Sequence, residues 1–168
     1  MKRRALLAMA AALLAACAKP PAPAARRRLT GAEIYAVDPA VLRAAVQTDE
    51  RVVLQGVAID LRTVGESERY LVRMQSRAAG DTRLPAAPKG RVWHVYGLTA
   101  DGATTLVTVR KMLMARGTAA DALEVTVSAQ PGMVPADLLG AVPLRIDMLL
   151  DNRDGWFTLV DGVVDLRP

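Results

Sequence analysis

The sequence predicts an α+β fold, mainly an antiparallel sheet with two short helices, and a β-sandwich is the alternative. Three observations carry that expectation. Short segments such as Arg69 to Ser76 and Arg91 to Leu98 alternate their apolar side chains with a period of two. Turn-forming groups, among them Pro131-Gly132, Asn152 to Gly155 and Asp161-Gly162, interrupt the apolar segments. Only two stretches, 39–47 and 101–116, space their apolar residues as a helix does.

Taken in order, Asp38 and Pro39 open the first predicted helix. Asp is a good N-cap and Pro suits the first helical position; Val41, Leu42, Ala45 and Val46 then share one helical stripe over 39–47. Arg51 to Leu61 is rich in β-branched residues and reads as a strand, with Gly56 marking a bulge. Thr63 to Glu68 turns the chain. In 69–76, Tyr70, Val72 and Met74 make the drier face. Residues 78–90, with Pro85 and Pro88, form a surface loop. In 91–98, Val92, His94, Tyr96 and Leu98 oppose Trp93, Val95 and Gly97.

The second helix is expected over 101–116, with Leu106, Val109 and Leu113 on one face. Arg110, Lys111 and Arg116 lie towards its C-terminus, and Gly117 stops it. A strand follows over 122–129, then a turn at Pro131-Gly132 and one helical turn at Pro135 to Leu139. The end reads as a meander: Leu144 to Met148 alternating with Arg145 and Asp147, a turn at 152–155, a strand at 156–160, a hairpin turn at Asp161-Gly162 and a last strand at 163–166.

The N-terminus is of another kind. Lys2, Arg3 and Arg4 precede an apolar run from Ala5 to Ala16. Twelve residues are too few to span a bilayer, which takes ~20. A basic segment, a short apolar run and small residues make an export signal. The run ends in Leu14, Ala15, Ala16 and Cys17, and Cys17 is the only cysteine of the chain. This stretch resembles the lipobox of bacterial lipoprotein precursors. The resemblance implies cleavage between Ala16 and Cys17, a diacylglyceryl group on the Cys17 thiol and a further acyl chain, commonly palmitate, on its new amino group. Two or three acyl chains anchor firmly where one holds only marginally. Ala18, in place of an Asp, implies the outer membrane, with the domain facing the periplasm.

Residues 17–28 then form a tether. Pro20, Pro21 and Pro23 favour an extended spacer, and Arg26 to Arg28 suit either solvent or anionic headgroups. Residues 29–168, about 140, match one globular domain. The chain as a whole carries 22 Lys and Arg against 17 Asp and Glu, a formal +5. Seven of those bases lie in the signal and tether, which leaves 15 against 17 in the domain, a formal −2. The basic balance therefore does not belong to the domain, and a nucleic-acid partner is not expected.

Catalytic and metal-binding patterns are sparse. His94 is the only histidine, and zinc sites draw on several Cys and His ligands, so no metal or cofactor is expected. Ser67, Ser76 and Ser128 are the only serines, and none sits in a nucleophile elbow. His94 therefore reads as structural. The segment Asp151 to Gly155 brushes a calcium loop, but Arg153 occupies a ligand position. Met112, Met114, Met133 and Met148 read as core filler. Thr30 to Glu33 makes no phosphate loop, and Asp49-Glu50 reads as solvated acids at an element end.

These readings lead to a membrane-anchored envelope lipoprotein with a non-catalytic docking or assembly role and an envelope protein as partner. Trp156 and Phe157, adjacent in a chain of six aromatic residues, are the expected interface. A carrier of an apolar or cell-wall ligand, which needs an apolar cleft, is the alternative. A hydrolase centred on His94 is a third reading.

Overall fold

The computed structural model describes residues 27–77 and 83–165. The expected signal peptide 1–16, Cys17 and its cleavage junction, and the tether up to residue 26 lie outside the described residues.

Among the described residues, seven strands form one antiparallel sheet in the order β5-β2-β3-β4-β1-β6-β7. They are β1 (Arg43–Asp49), β2 (Val53–Thr63), β3 (Arg69–Arg77), β4 (Arg91–Leu98), β5 (Leu123–Met133), β6 (Val142–Leu149) and β7 (Trp156–Val164). Two α-helices of the described residues, α1 (Gly31–Ala36) and α2 (Ala100–Ala115), pack on one face. The mainly antiparallel sheet is as the sequence predicts, and of the two predicted helices only the second, α2, is found where it is expected.

The core lies between that face and the helices. Val57, Ile59 and Leu61 of β2, Val72 and Met74 of β3, Tyr96 and Leu98 of β4, Ala44 and Val46 of β1, and Ile146 and Met148 of β6 are all buried there. Leu106, Val109 and Leu113 of α2 close over them. Burial of this aliphatic surface, at ~25 cal/mol per Å2, is the main driving force, since aromatic residues are few.

Local chemistry sets both ends of α2. Thr99 accepts from the Gly102 N–H at 2.7 Å, an N-cap. Gly117, at φ +72°, takes the left-handed turn after the last helical residue. The Gly117 N–H donates to the Met114 carbonyl and the Thr118 N–H to the Leu113 carbonyl, completing a Schellman motif.

The first predicted helix is corrected. Residues 39–42 make one tight turn, in which the Asp38 carboxylate accepts from Ala40 N–H at 2.8 Å, and residues 43–49 are strand β1. β1 lies between β4 and β6, and Ala44, Ala45 and Val46 are all fully buried. A strand buried on both faces has no period of two, so its apolar run imitates helical spacing.

Two turn predictions are corrected as well. Asp161 and Gly162 lie inside β7, opposite Arg145 and Leu144 of β6, so 156–164 is one strand. Pro131 and Gly132 lie inside β5, where the register against β2 shifts around Leu54 and Gly56. That irregularity is where Gly56 is expected to mark a bulge. Met114 and Met133 are exposed, unlike Met148, so they do not fill the core.

The other face of the sheet is solvated at one end and covered at the other. Leu71, Arg73 and Gln75 of β3 are exposed. Over β4, β1 and β6, residues 83–90 lie across the sheet. The Trp93 indole N–H donates to the Pro85 carbonyl at 2.8 Å, and Arg83 donates to the Asn152 carbonyl at 3.2 Å. Below lie Ala45, Gln47, Val95, Asp147 and Leu149, all buried.

Candidate functional site: the seam between the edge strands

Among the described residues, β5 pairs only with β2, and β7 only with β6. These two edge strands nevertheless line the same groove. The sheet has therefore rolled into an open half-barrel, and the groove is the seam it leaves. Its volume is about 970 Å3.

One wall is the run Leu123 to Val127 of β5. Five consecutive residues line it because the groove meets the strand along its backbone edge, so side chains of both faces reach it. The Leu123 N–H donates back to the Ala120 carbonyl, and beyond it, among the described residues, no strand pairs with β5 on the side away from β2. The opposite wall carries Leu159 and Val160 of β7, and Leu159 sits where the β6–β7 register shifts.

The segment Arg27 to Ala32 lines the same groove and leads into α1. Arg27 N–H donates to the Thr158 carbonyl of β7 at 3.2 Å, and its guanidinium lies 4.5 Å from the Phe157 ring centroid and pairs with Glu33. The sequence reading places no helix at α1, although its signal is in the sequence. Thr30 caps the Glu33 N–H while the Glu33 carboxylate accepts from the Thr30 N–H at 2.9 Å. Thr-x-x-Glu is a capping box, and it holds this short helix.

The groove is mostly apolar inside, with Leu29, Leu123, Val127, Leu159 and Val160, and charged at its rim, with Arg28, Asp121 and Glu124. Glu124 pairs with Arg62 at 3.5 Å. The arrangement can hold an extended chain or an acyl chain.

The aromatic pair divides between faces. Phe157 pairs with Met148 and packs on the core, half-buried, while Trp156 pairs with Leu149 on the other face, also half-buried. The Trp156 indole nitrogen is buried without a hydrogen-bond partner. Neither ring lines the seam; Phe157 lines a smaller cleft beside it, with Asp38, Asp151 and Arg153.

His94 faces the core opposite Val46. Its Nε2 is buried without a partner, and burial pushes its pKa below the ordinary imidazole value. No carboxylate or hydroxyl of the described residues bonds to it. Among the described residues, no group of three or more His, Cys, Asp or Glu could hold a metal ion, and no helix is long and apolar enough to cross a membrane.

On the covered face, Arg145 donates to both carboxylate oxygens of Asp147, at 2.8 and 2.9 Å, and to Thr158 Oγ1 at 3.0 Å. The Arg145 guanidinium lies 5.6 Å from the Trp93 ring centroid. Asp147 is 1% exposed, so this is a buried ion pair held from the sheet.

Comparison with known protein families, curated proteins and solved structures finds no match to this chain.

Proposed function

We propose that this protein is a lipid-anchored envelope lipoprotein, tethered at Cys17 to the outer membrane, whose domain docks an extended segment of an envelope protein in the seam. The observation that supports the docking role is the unpaired edge of β5 past Leu123, along Glu124 to Val127, set beside apolar side chains. An open strand edge takes an added strand through main-chain hydrogen bonds, and alternate side chains enter the apolar positions. The half-barrel lacks one stretch of sheet there, and an added strand would supply it. We read the class as α+β, with both helices on one face of a dominant sheet.

The tether fits this role. Arg27 lies ten residue steps after Cys17, which spans ~31 Å if extended. Confinement at a surface raises the effective concentration of the seam for other membrane-bound components. The carrier reading is second, favoured by the apolar lining of Leu29, Leu123, Val127, Leu159 and Val160.

The test is a photocrosslinking residue at Thr126, exposed on β5, in intact cells, with Leu71 on β3 as the control position. A discrete polypeptide adduct from Thr126 and none from Leu71 is expected. An acyl-lipid adduct at Thr126 supports the carrier instead, and equal labelling from both positions removes the seam as a site.

A further inference from the structure

Gly97 on β4 pairs with Gln75 of β3 on one side and Arg43 of β1 on the other. The space above it belongs to two arginines. A Cβ at Gly97 would meet Arg77 Nε at 2.8 Å, Arg77 Cδ at 3.3 Å and Arg43 Cδ at 3.4 Å. Arg43 and Arg77 thus converge over Gly97, where an added Cβ would have to push the Arg77 side chain aside.

Two like charges held together need compensation. Arg43 donates to the Leu42 carbonyl at 2.9 Å and Arg77 to the Leu98 carbonyl at 3.3 Å. A guanidinium has five N–H donors, so most remain for another acceptor. Among the described residues no carboxylate forms an ion pair with either, whereas Arg51, Arg62, Arg69, Arg116 and Arg145 each have one. Arg43 is half-buried, and burial, with Arg77 beside it, lowers its pKa.

We propose that Arg43 and Arg77, converging over Gly97, form an oxyanion site that takes a phosphate group. The contrast with Arg145 decides the ligand class. There one guanidinium saturates both oxygens of the Asp147 carboxylate. Two adjacent guanidiniums call for an anion with more oxygens and room for a second charge, which is phosphate. The phosphate can belong to an anionic phospholipid headgroup or to a soluble phosphate. The site is on the face of the sheet opposite the core, and its occupancy does not depend on the docking role of the seam.

The full chain, labelled with 15N-arginine in neutral detergent micelles, is titrated with inorganic phosphate, then with phosphatidylglycerol added to the micelles. Saturable shifts of the Arg43 and Arg77 Nε–H signals are expected, with the Arg145 signal unmoved. Arg77→Gln is expected to weaken binding by about tenfold or more, since a charge-assisted donor is lost. Gly97→Ala, which keeps both charges but closes the slot, is expected to weaken it comparably. A response to phosphatidylglycerol alone assigns the site to a lipid headgroup; a response to both ligands assigns it to phosphate in general. Absence of a saturable shift with either ligand, an equal response to acetate, or unchanged affinity in a folded Arg77→Gln chain overturns the proposal.

Discussion

Arg110 on α2 donates from Nε to the Ile34 carbonyl of α1 at 2.6 Å, across 76 residues of sequence. A terminal nitrogen of the same guanidinium reaches the Val37 carbonyl at the C-cap of α1. Carbonyls at a helix end have no partner within the helix, so a side chain from elsewhere must supply one. Arg110 in this way links the two helices, as does the Tyr35 hydroxyl, which donates to the Thr118 carbonyl just past α2 at 3.1 Å, and the segment leading into α1 lines the seam.

Replacing Arg110 by Met keeps the apolar stem and removes the donors. A loss of about 2 kcal/mol in unfolding free energy is expected, the scale of hydrogen bonds to a charged group. Urea denaturation of the variant against the parent measures it. A loss indistinguishable from zero would show that water replaces the guanidinium there without cost.

Asp147 and Arg145 form the other test of packing. Asp147→Ala leaves a half-buried Arg145 without its carboxylate, and a cost of about 3 kcal/mol is expected. Replacing both residues by apolar ones of similar volume should recover much of that loss, because the desolvation of two charges is removed together. A double-mutant cycle reads the coupling directly, and a coupling near zero would mean that the pair is held apart in solution.

His94 carries a pH dependence whose sign follows from burial. The native state holds the imidazole below its ordinary pKa of 6.5, so the unfolded chain takes up the proton first as pH falls. Stability is full above about 6.5 and declines as pH drops from there towards the lowered native value. Denaturation midpoints between pH 7.5 and 5 should show that slope, over the window implied by the shift direction. In His94→Gln the slope should flatten, and any cellular phenotype of the protein should persist. A lost phenotype in a folded variant would restore the hydrolase reading.

Cys17 tests the anchor. Cys17→Ala should abolish incorporation of labelled palmitate and leave a larger, unprocessed precursor on a denaturing gel. Palmitate entering that variant would rule out Cys17 as the acceptor.

The local readings that hold are those whose chemistry is local. β4 spans Arg91–Leu98, the segment its alternation marks, and α2 falls within a residue of expectation because Thr99 and Gly117 are its own cap and stop. The α1 capping box was equally legible, since Thr30 and Glu33 are three residues apart and need nothing else. By sequence alone, the lipobox remains the ground for expecting a lipid on Cys17.

What the sequence could not decide depends on partners distant in the chain. Residues 43–49 are a strand because β4 and β6 flank them, and Asp161-Gly162 stays in β7 because Arg145 and Leu144 lie opposite. The seam depends on how far seven strands roll and so on the gap left between β5 and β7, and no single segment encodes that curvature. Arg43, Arg77 and Gly97 converge only through the registers of β1, β3 and β4. Backbone pairing sets those registers, and a slip of one residue would turn every side chain to the other face.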